Sequence, residues 1–167
     1  MDKNALAVIF DRYAVDLFNY AMHISDDPLK ADSIVGDVFA NFLEHLATGK
    51  GPQKNLRSYF YKATYHFMVD GSRFSARESR IGLASFVSEN ANGNHSKASN
   101  LDTDTILLAI KNHLTADQRD VIVLHYLEGF SLSEIAEIIG KRINNVKAIQ
   151  KRAIYRLCNI LDQKVSA

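Results

Sequence analysis

One stretch, SLSEIAEIIGKRINNVKAIQKRA at residues 131–153, restricts the fold of this chain more than any other part of it. Ser131 followed three residues later by Glu134 is the pattern of a capping box, in which each side chain bonds the other residue's backbone N–H at a helix start. Gly140 can adopt the left-handed conformation that ends a helix. The pattern therefore predicts a short helix, a tight turn and a second helix.

The packing between these two predicted helices can be inferred from the same stretch. Ala136 is small enough for the second helix to cross close to the first, and Val146 has the spacing to anchor the second helix in a shared core. The preceding segment has its own capping box, Thr115 with Gln118, and ends at Gly129. These signals predict a helix-turn-helix domain; an ordinary helical hairpin is the alternative.

The second helix of this motif carries cationic and polar side chains. In a helix-turn-helix, the N-terminal part of the second helix enters the major groove of DNA. Asparagine can hydrogen-bond adenine and arginine can hydrogen-bond guanine, whereas lysine more often neutralises phosphate. The predicted DNA-binding residues are Arg142, Asn144, Asn145, Lys147, Ala148, Lys151 and Arg152. A basic helix face that is merely solvated is the alternative interpretation.

Charge alternates along the chain, although the net charge of the whole is only +1. The net charge is −5 over 1–46, +5 over 47–80, −5 over 101–140 and +6 over 141–167. Each half therefore has an acidic block followed by a basic block. Any one block could be a solvated surface, but two matched basic blocks favour contact with a polyanion.

The two halves are separated by SENANGNHSKASN, residues 88–100, whose composition is typical of a flexible linker. Elsewhere apolar residues recur at helical spacing, and Pro28 and Pro52 fall between the helical patterns. We therefore predict an all-α fold of two small helical domains joined by a flexible linker, the C-terminal one a helix-turn-helix. The predicted bounds are 1–86 for the first domain, 87–101 for the linker and 102–167 for the second domain.

Aromatic rings and cations are interleaved in LRSYFYKATYHFMVDGSR, residues 56–73, as is typical of a surface that stacks single-stranded bases. About half of these rings must instead lie in the core, because a helix has an inward face. Tyr61, Tyr65 and His66 are the residues predicted to face solvent. The predicted single-strand-binding residues are Tyr59, Tyr61, Lys62, Tyr65, His66, Arg73 and Arg77.

Patterns for catalysis are weak in this sequence. It has no phosphate-binding glycine loop, no metalloprotease pair of histidines and no Cys/His cluster with zinc spacing. His66 and Asp70 lie one helical turn apart, but such a lone pair is more often a surface contact than a metal site. We expect no enzyme activity, no cofactor and no metal.

The expected compartment is the cytoplasm. The single cysteine, Cys158, is expected to be a small buried residue, and no secretory-type leader follows Met1. No apolar run approaches the roughly 20 residues that cross a bilayer, so no membrane insertion is expected.

The chain resembles a known family in both halves. Residues 114–157, LTADQRDVIVLHYLEGFSLSEIAEIIGKRINNVKAIQKRAIYRL, closely resemble the promoter-reading C-terminal domain of bacterial sigma factors of the extracytoplasmic-function group. Residues 31–46 are similar to the helix with which such factors bind the clamp helices of the RNA polymerase β′ subunit. Residues 56–73 are similar to the segment that opens and reads the minus-ten element.

This resemblance implies a sigma factor that binds core RNA polymerase and promoter DNA and is held by an anti-sigma factor. The helix-turn-helix would read the minus-thirty-five element, and the aromatic segment would bind the minus-ten element. The implied polymerase-binding residues are Asp32, Asp37 and Asn41.

The sequence departs from the family at several positions. Ser33 and Gly36 stand in the clamp-binding helix where family members usually have acids and a glutamine. In the minus-ten segment, Tyr59, Tyr65 and His66 replace the usual Trp, Arg and Asn, whereas Asp70 and Arg73 match. A helix-turn-helix regulator that binds duplex DNA without polymerase is the alternative function, and the acidic, amphipathic N-terminal half distinguishes the two.

Overall fold

The computed structural model describes residues 3–52, 55–70 and 101–166. Throughout these ranges the regular structure is helical, and the chain divides into two compact units, 1–93 and 94–167. The all-α fold class predicted from the sequence is confirmed. The predicted linker lies outside the described residues, except for its last position.

Among the described residues of the first unit, three helices all pack against one another: α1 (Lys3–Ser25), α2 (Pro28–Ala47) and α3 (Leu56–Val69). The start of α2 is determined locally. The Asp27 side chain accepts hydrogen bonds from the backbone N–H groups of Leu29 and Lys30 at 3.0 and 3.2 Å. Pro28 follows at the first helical position, where no backbone N–H is required.

Aromatic rings form the core of this unit. The ring of Phe60 in α3 lies 4.9 Å from that of Phe39 and 5.0 Å from that of Phe42, both in α2. It also lies 5.2 Å from the ring of Tyr13 in α1. Tilted ring pairs at these centroid distances add stability beyond that of the buried area alone. Phe60 therefore ties all three helices together.

From residue 101 to residue 166, the second unit has four α-helices: α4 (Leu101–His113), α5 (Ala116–Ile122), α6 (Leu132–Ile139) and α7 (Ile143–Val165). Helix α7 packs against the other three. The core is mainly aliphatic. Its most deeply buried side chains include Val121, Leu124, Phe130, Ile135, Ile138 and Val146.

Both predicted capping boxes are present in this unit. At α6, the Ser131 hydroxyl accepts the Glu134 N–H at 3.2 Å, and a Glu134 carboxylate oxygen accepts the Ser131 N–H at 2.8 Å. Gly140 ends α6 with a φ of 68°, the left-handed conformation that an L side chain adopts only with strain. The predicted start and end of the first helix of the motif are confirmed.

Helix α5 continues into a π-helical turn, Val123–Leu127. The Glu128 N–H bonds the Val123 carbonyl at 3.0 Å, which is the wider repeat of this helix type. The ring N–H at Nδ1 of His125 donates to the Phe130 carbonyl at 2.7 Å, and Phe130 is buried. This turn joins α5 to the helix-turn-helix.

Candidate nucleic-acid interface

The DNA-facing surface predicted from the sequence lies on the exposed side of α7. Val146 and Ala153 are both fully buried and attach this helix to the core. Because they are seven residues apart, they lie on one side of the helix, and the positions between them turn outward. The predicted residues found exposed are Arg142, Asn144, Asn145, Lys147, Lys151 and Arg152. Ala148 is half-buried.

The start of α7 is electropositive. Arg142 is the N-cap residue, and its side chain makes no capping hydrogen bond. The first turn contains no acidic residue. Helix N-termini carry a partial positive charge, and here Lys141 and Arg142 add to it. This end of the helix is therefore suited to an anionic partner such as a phosphate backbone.

An ion pair joins α5 to the turn before α7. The Lys141 ammonium lies 3.1 Å from the Asp117 carboxylate, and both side chains are half-exposed. Near this pair, Asp120 is almost completely buried at 6% exposure. The pKa of Asp120 is raised to about 7, mainly by burial and also by the charge of Asp117, while Arg119 and Lys141 act in the opposite direction.

The burial of Asp120 and its charged neighbours was not predicted from the sequence. A signal was present, since Asp120 directly precedes the apolar run Val121–Leu124 and so falls near the inward face of α5. Another contact not anticipated is the Gln150 amide, which donates to the Tyr126 hydroxyl at 3.2 Å and connects α7 to the π-helical turn.

The prediction that Tyr61 and Tyr65 face solvent was wrong. Tyr61 is 0% exposed and Tyr65 is 9% exposed, because positions 60, 61, 64 and 65 form the inward face of α3. The Tyr61 ring lies 5.2 Å from that of Tyr20, and the Arg57 guanidinium lies 5.2 Å from its centroid. These tyrosines stabilise the core and do not form a stacking surface.

Two other residues of the predicted single-strand site are exposed on α3, namely Lys62 and His66. They lie four positions apart and therefore share one face of the helix. The remaining cations predicted for this site, Arg73 and Arg77, lie outside the described residues.

Tyr59 is half-buried at the junction between α3 and α2. Its hydroxyl shares a 2.8 Å hydrogen bond with Nδ1 of His45. Burial raises the pKa of Tyr59, and a side-chain hydrogen bond with Asn41 lowers it. Tyr59 thus contacts Asn41, a residue predicted to bind polymerase.

The predicted polymerase-binding residues Asp32, Asp37 and Asn41 are all half-buried on α2. Burial raises the pKa of Asp32. Gly36 lies among them, and a β-carbon built there meets nothing within 4 Å. Close packing against the described residues of this unit therefore does not require a glycine here.

Within 3–52, 55–70 and 101–166, no group of three or more His, Cys, Asp or Glu side chains could hold a metal ion. A search of the same residues finds no helix with the length and apolarity to cross a membrane. Cys158, expected to be buried, is instead exposed, since it lies on the outer side of α7.

Residues 104–157 match the family model described as Sigma-70, region 4. The chain is 19% identical to the ECF RNA polymerase sigma factor BldN of Streptomyces coelicolor. The match covers 96% of this chain and 61% of the length of BldN. The chain is 20% identical to the ECF RNA polymerase sigma factor SigX of Bacillus subtilis, covering 91% of this chain and 81% of that protein.

Two solved structures have a similar fold. One is the sigma factor RpoE from Bartonella quintana in complex with the anti-sigma factor NepR, with a TM-score of 0.70 and 22% identity over 93% of this chain and 96% of that one. The other is CnrH in complex with the cytosolic domain of CnrY, with a TM-score of 0.68 and 22% identity over 97% and 90% of the two chains.

Proposed function

We propose that this chain, a homologue of the extracytoplasmic-function RNA polymerase sigma factors with a sigma-70 region 4 at residues 104–157, directs promoter-specific initiation of transcription. It binds core polymerase with its first helical unit and promoter DNA with both units. The observation that carries this proposal is the outward row of base-reading and phosphate-binding side chains on α7, a helix anchored from behind by Val146.

In this proposal α7 reads the minus-thirty-five element. Arg142 is its N-cap residue, and Asn144 and Asn145 lie in its first turn; this end of a recognition helix is the part that reaches base edges. Lys151 and Arg152 lie two turns further along and neutralise phosphates. Ala148 is small enough to let the helix approach the groove closely.

The minus-ten contact is proposed for the exposed face of α3. Lys62 and His66 support it, together with Arg73 and Arg77 of the sequence that follows. Tyr59 contributes from the α2–α3 junction. The ring faces of Tyr61 and Tyr65 are not part of the proposed contact, because they are buried.

The proposed polymerase contact is the face of α2 that carries Asp32, Asp37 and Asn41, and its partner is the pair of clamp helices of the β′ subunit. The likeness to known sigma factors covers more than nine-tenths of the chain, including this helix. That coverage disfavours a helix-turn-helix regulator that acts without polymerase.

The role requires no catalytic residue and is exercised in the cytoplasm, where polymerase and promoter DNA are found. In the solved complexes, NepR binds RpoE and the cytosolic domain of CnrY binds CnrH. We propose that an anti-sigma factor likewise binds this chain and prevents its use by polymerase.

Transcription from DNA selected for binding tests the proposal. Duplexes enriched from a random library by the complete chain with core polymerase are transcribed with and without the chain. Initiation that depends on the chain and on a bipartite site supports a sigma factor; duplex binding without any polymerase association would identify a plain regulator.

Variants of two asparagines in α7 test how the sequence is read. Asn145→Ala is expected to change base preference, by roughly 1–3 kcal/mol at the contacted pair. The matched control is Asn159→Ala, which alters an exposed asparagine on the same helix well past its proposed DNA-binding part. Equal effects of the two substitutions would contradict the assignment.

A further inference from the structure

Tyr126 is an exposed aromatic residue that belongs to none of the predicted sites. It lies in the π-helical turn Val123–Leu127, directly before the helix-turn-helix, and 56% of its surface is exposed. Val123 and Leu124 of the same turn are buried and attach the turn to the core. Packing in the core therefore does not explain the Tyr126 ring. Turns of this helix type are frequent at functional sites.

The Tyr126 side chain is held in one direction although it is exposed. Its ring lies 4.7 Å from that of His125 in an edge-to-face arrangement. His125 is fixed in turn, because its Nδ1–H donates to the carbonyl of the buried Phe130 at 2.7 Å. At the far end of the side chain, the Gln150 amide of α7 donates to the Tyr126 hydroxyl at 3.2 Å. A side chain held at both ends loses little freedom when it binds a ligand, which favours binding.

The contact with Gln150 leaves the Tyr126 hydroxyl with a proton to donate. A phenol hydroxyl is both a single O–H donor and a hydrogen-bond acceptor. Because Gln150 supplies the donor of this pair, the Tyr126 oxygen accepts, and its own hydrogen can point toward solvent. Tyrosine hydroxyls are among the groups that donate to phosphate oxygens in protein–DNA complexes. The hydroxyl is therefore suited to an anionic acceptor outside the protein.

The Tyr126 hydroxyl also lies beside the proposed DNA-binding side of α7. Its partner Gln150 comes three residues after Lys147, and residues three apart are neighbours on a helix surface. Lys147 and Lys151 are both exposed and lie four residues apart, so they share one face. A hydroxyl donor close to two cations is a combination that contacts a phosphate backbone.

We propose that Tyr126 is a further DNA-binding residue: its hydroxyl, oriented by Gln150, donates to a phosphate oxygen at the edge of the groove that α7 enters. This inference rests on the proposed function, since it adds a residue to the proposed DNA contact of α7. The contact fixes the position of α7 in the groove but reads no base. Gln150 is a positioning residue that acts through Tyr126.

Binding of a selected duplex tests the assignment. The probe is a fluorescein-labelled duplex carrying the site enriched from the random library, titrated with the complete chain bound to core polymerase. Tyr126→Phe removes the hydroxyl and keeps the ring, so it is expected to bind about fivefold more weakly than wild type. The same loss is expected for duplexes with single-base changes in the site. The salt dependence is expected to stay unchanged, because a neutral hydroxyl displaces no counterion.

Tyr155→Phe is the matched control. It removes the hydroxyl of another exposed tyrosine, which lies past the last predicted DNA-binding residue, Arg152, and it is expected to bind like wild type. Gln150→Leu is expected to weaken binding about two- to threefold in wild type and to have no effect in Tyr126→Phe, because Gln150 acts through that hydroxyl. Additive losses would overturn the positioning role of Gln150.

Replacing single phosphates of the duplex by uncharged methylphosphonates separates a direct contact from a loss of structure. At one phosphate, the replacement is expected to weaken binding by wild type more than binding by Tyr126→Phe, which has already lost that hydrogen bond. Equal binding by Tyr126→Phe and wild type, or the same losses at every phosphate in both proteins, overturns the inference alone. If the duplex binds no better with the chain than to core polymerase by itself, the proposed function fails, and this inference with it.

Discussion

The two helical units attach their proposed DNA-binding helices in different ways. Helix α3 of the first unit is a large part of an aromatic core, with Phe60, Tyr61 and Tyr65 all buried. Helix α7 of the second unit is attached along a narrow row that includes Val146 and Ala153. Aromatic residues on a helix therefore do not reveal which side faces solvent, whereas a clear apolar stripe beside a polar row does.

The largest effect on stability is expected from replacing Phe60, the ring that contacts all the helices described in the first unit. Phe60→Ala removes the side chain that contacts rings on both other helices, so it should destabilise this unit by about 3–5 kcal/mol. Hydrogen exchange of α2 and α3 measures the change. Tyr155→Ala, at an exposed position of α7, is the control and should change stability by less than about 0.5 kcal/mol. Similar effects of both substitutions would contradict the aromatic-core description.

The second unit should respond to pH through Asp120. The pKa of this carboxyl is about 7 in the folded state and close to 3.8 when unfolded, so the folded state binds the proton more tightly. Stability should therefore fall as pH rises from about 4 to about 7, and then level off. Asp120→Asn should abolish this fall and stabilise the unit at about pH 8 by roughly 2–4 kcal/mol. Hydrogen exchange of α5 across this pH range measures the stability of the unit. The same fall in stability with pH in Asp120→Asn would contradict the raised pKa of Asp120.

A smaller loss of stability is expected from replacing the glycine in the turn of the helix-turn-helix. Gly140→Ala places a β-carbon on a residue with a φ of 68°, which should cost about 1–2 kcal/mol although nothing lies within 4 Å of that β-carbon. Urea unfolding followed by circular dichroism measures the loss. Gly140→Asn should cost less, because asparagine tolerates the left-handed conformation better than alanine.

An increase in stability, not a loss, is expected when one glycine in the first unit is replaced. Gly36 lies within α2 without a positive φ and with open space around a built β-carbon. Gly36→Ala should therefore stabilise the unit by about 0.5–1 kcal/mol, through helix propensity and a less flexible unfolded chain. The midpoint of thermal unfolding measures the change. A loss of stability would mean that close packing around Gly36 had been missed.

The smallest effect concerns the exposed face of α3. Lys62→Ala should weaken binding of single-stranded DNA by about two- to fivefold and lower the magnitude of its salt dependence. Lys50→Ala is the control, because Lys50 is exposed three residues after the end of α2 in the same unit and carries the same charge. Tyr65→Phe should bind like wild type, since that ring is buried. A larger effect for Tyr65→Phe than for Lys62→Ala would mean that the Tyr65 hydroxyl takes part in DNA binding.

Much of the candidate DNA site on α7 could be predicted from the sequence. Six polar residues from Arg142 to Arg152 were expected to face solvent, and they do. The prediction worked because one buried valine and the helical repeat together determine which positions turn outward. In α3 the exposed face could not be identified in this way, because aromatic rings occur on more than one side of the helix. Only some of these rings fit into the core.

Local interactions, which can be read from the amino-acid sequence, set where the helices of the second unit begin and end. Ser131 with Glu134, and Thr115 with Gln118, act through hydrogen bonds that span only three residues, and Gly140 acts through its own backbone. The burial of Tyr61, Tyr65 and Asp120, and the ion pair between Lys141 and Asp117, depend instead on how the helices pack in the folded protein. The reason is the range of the forces: caps and turns are local, whereas burial and the pKa that follows from it depend on segments brought together by folding.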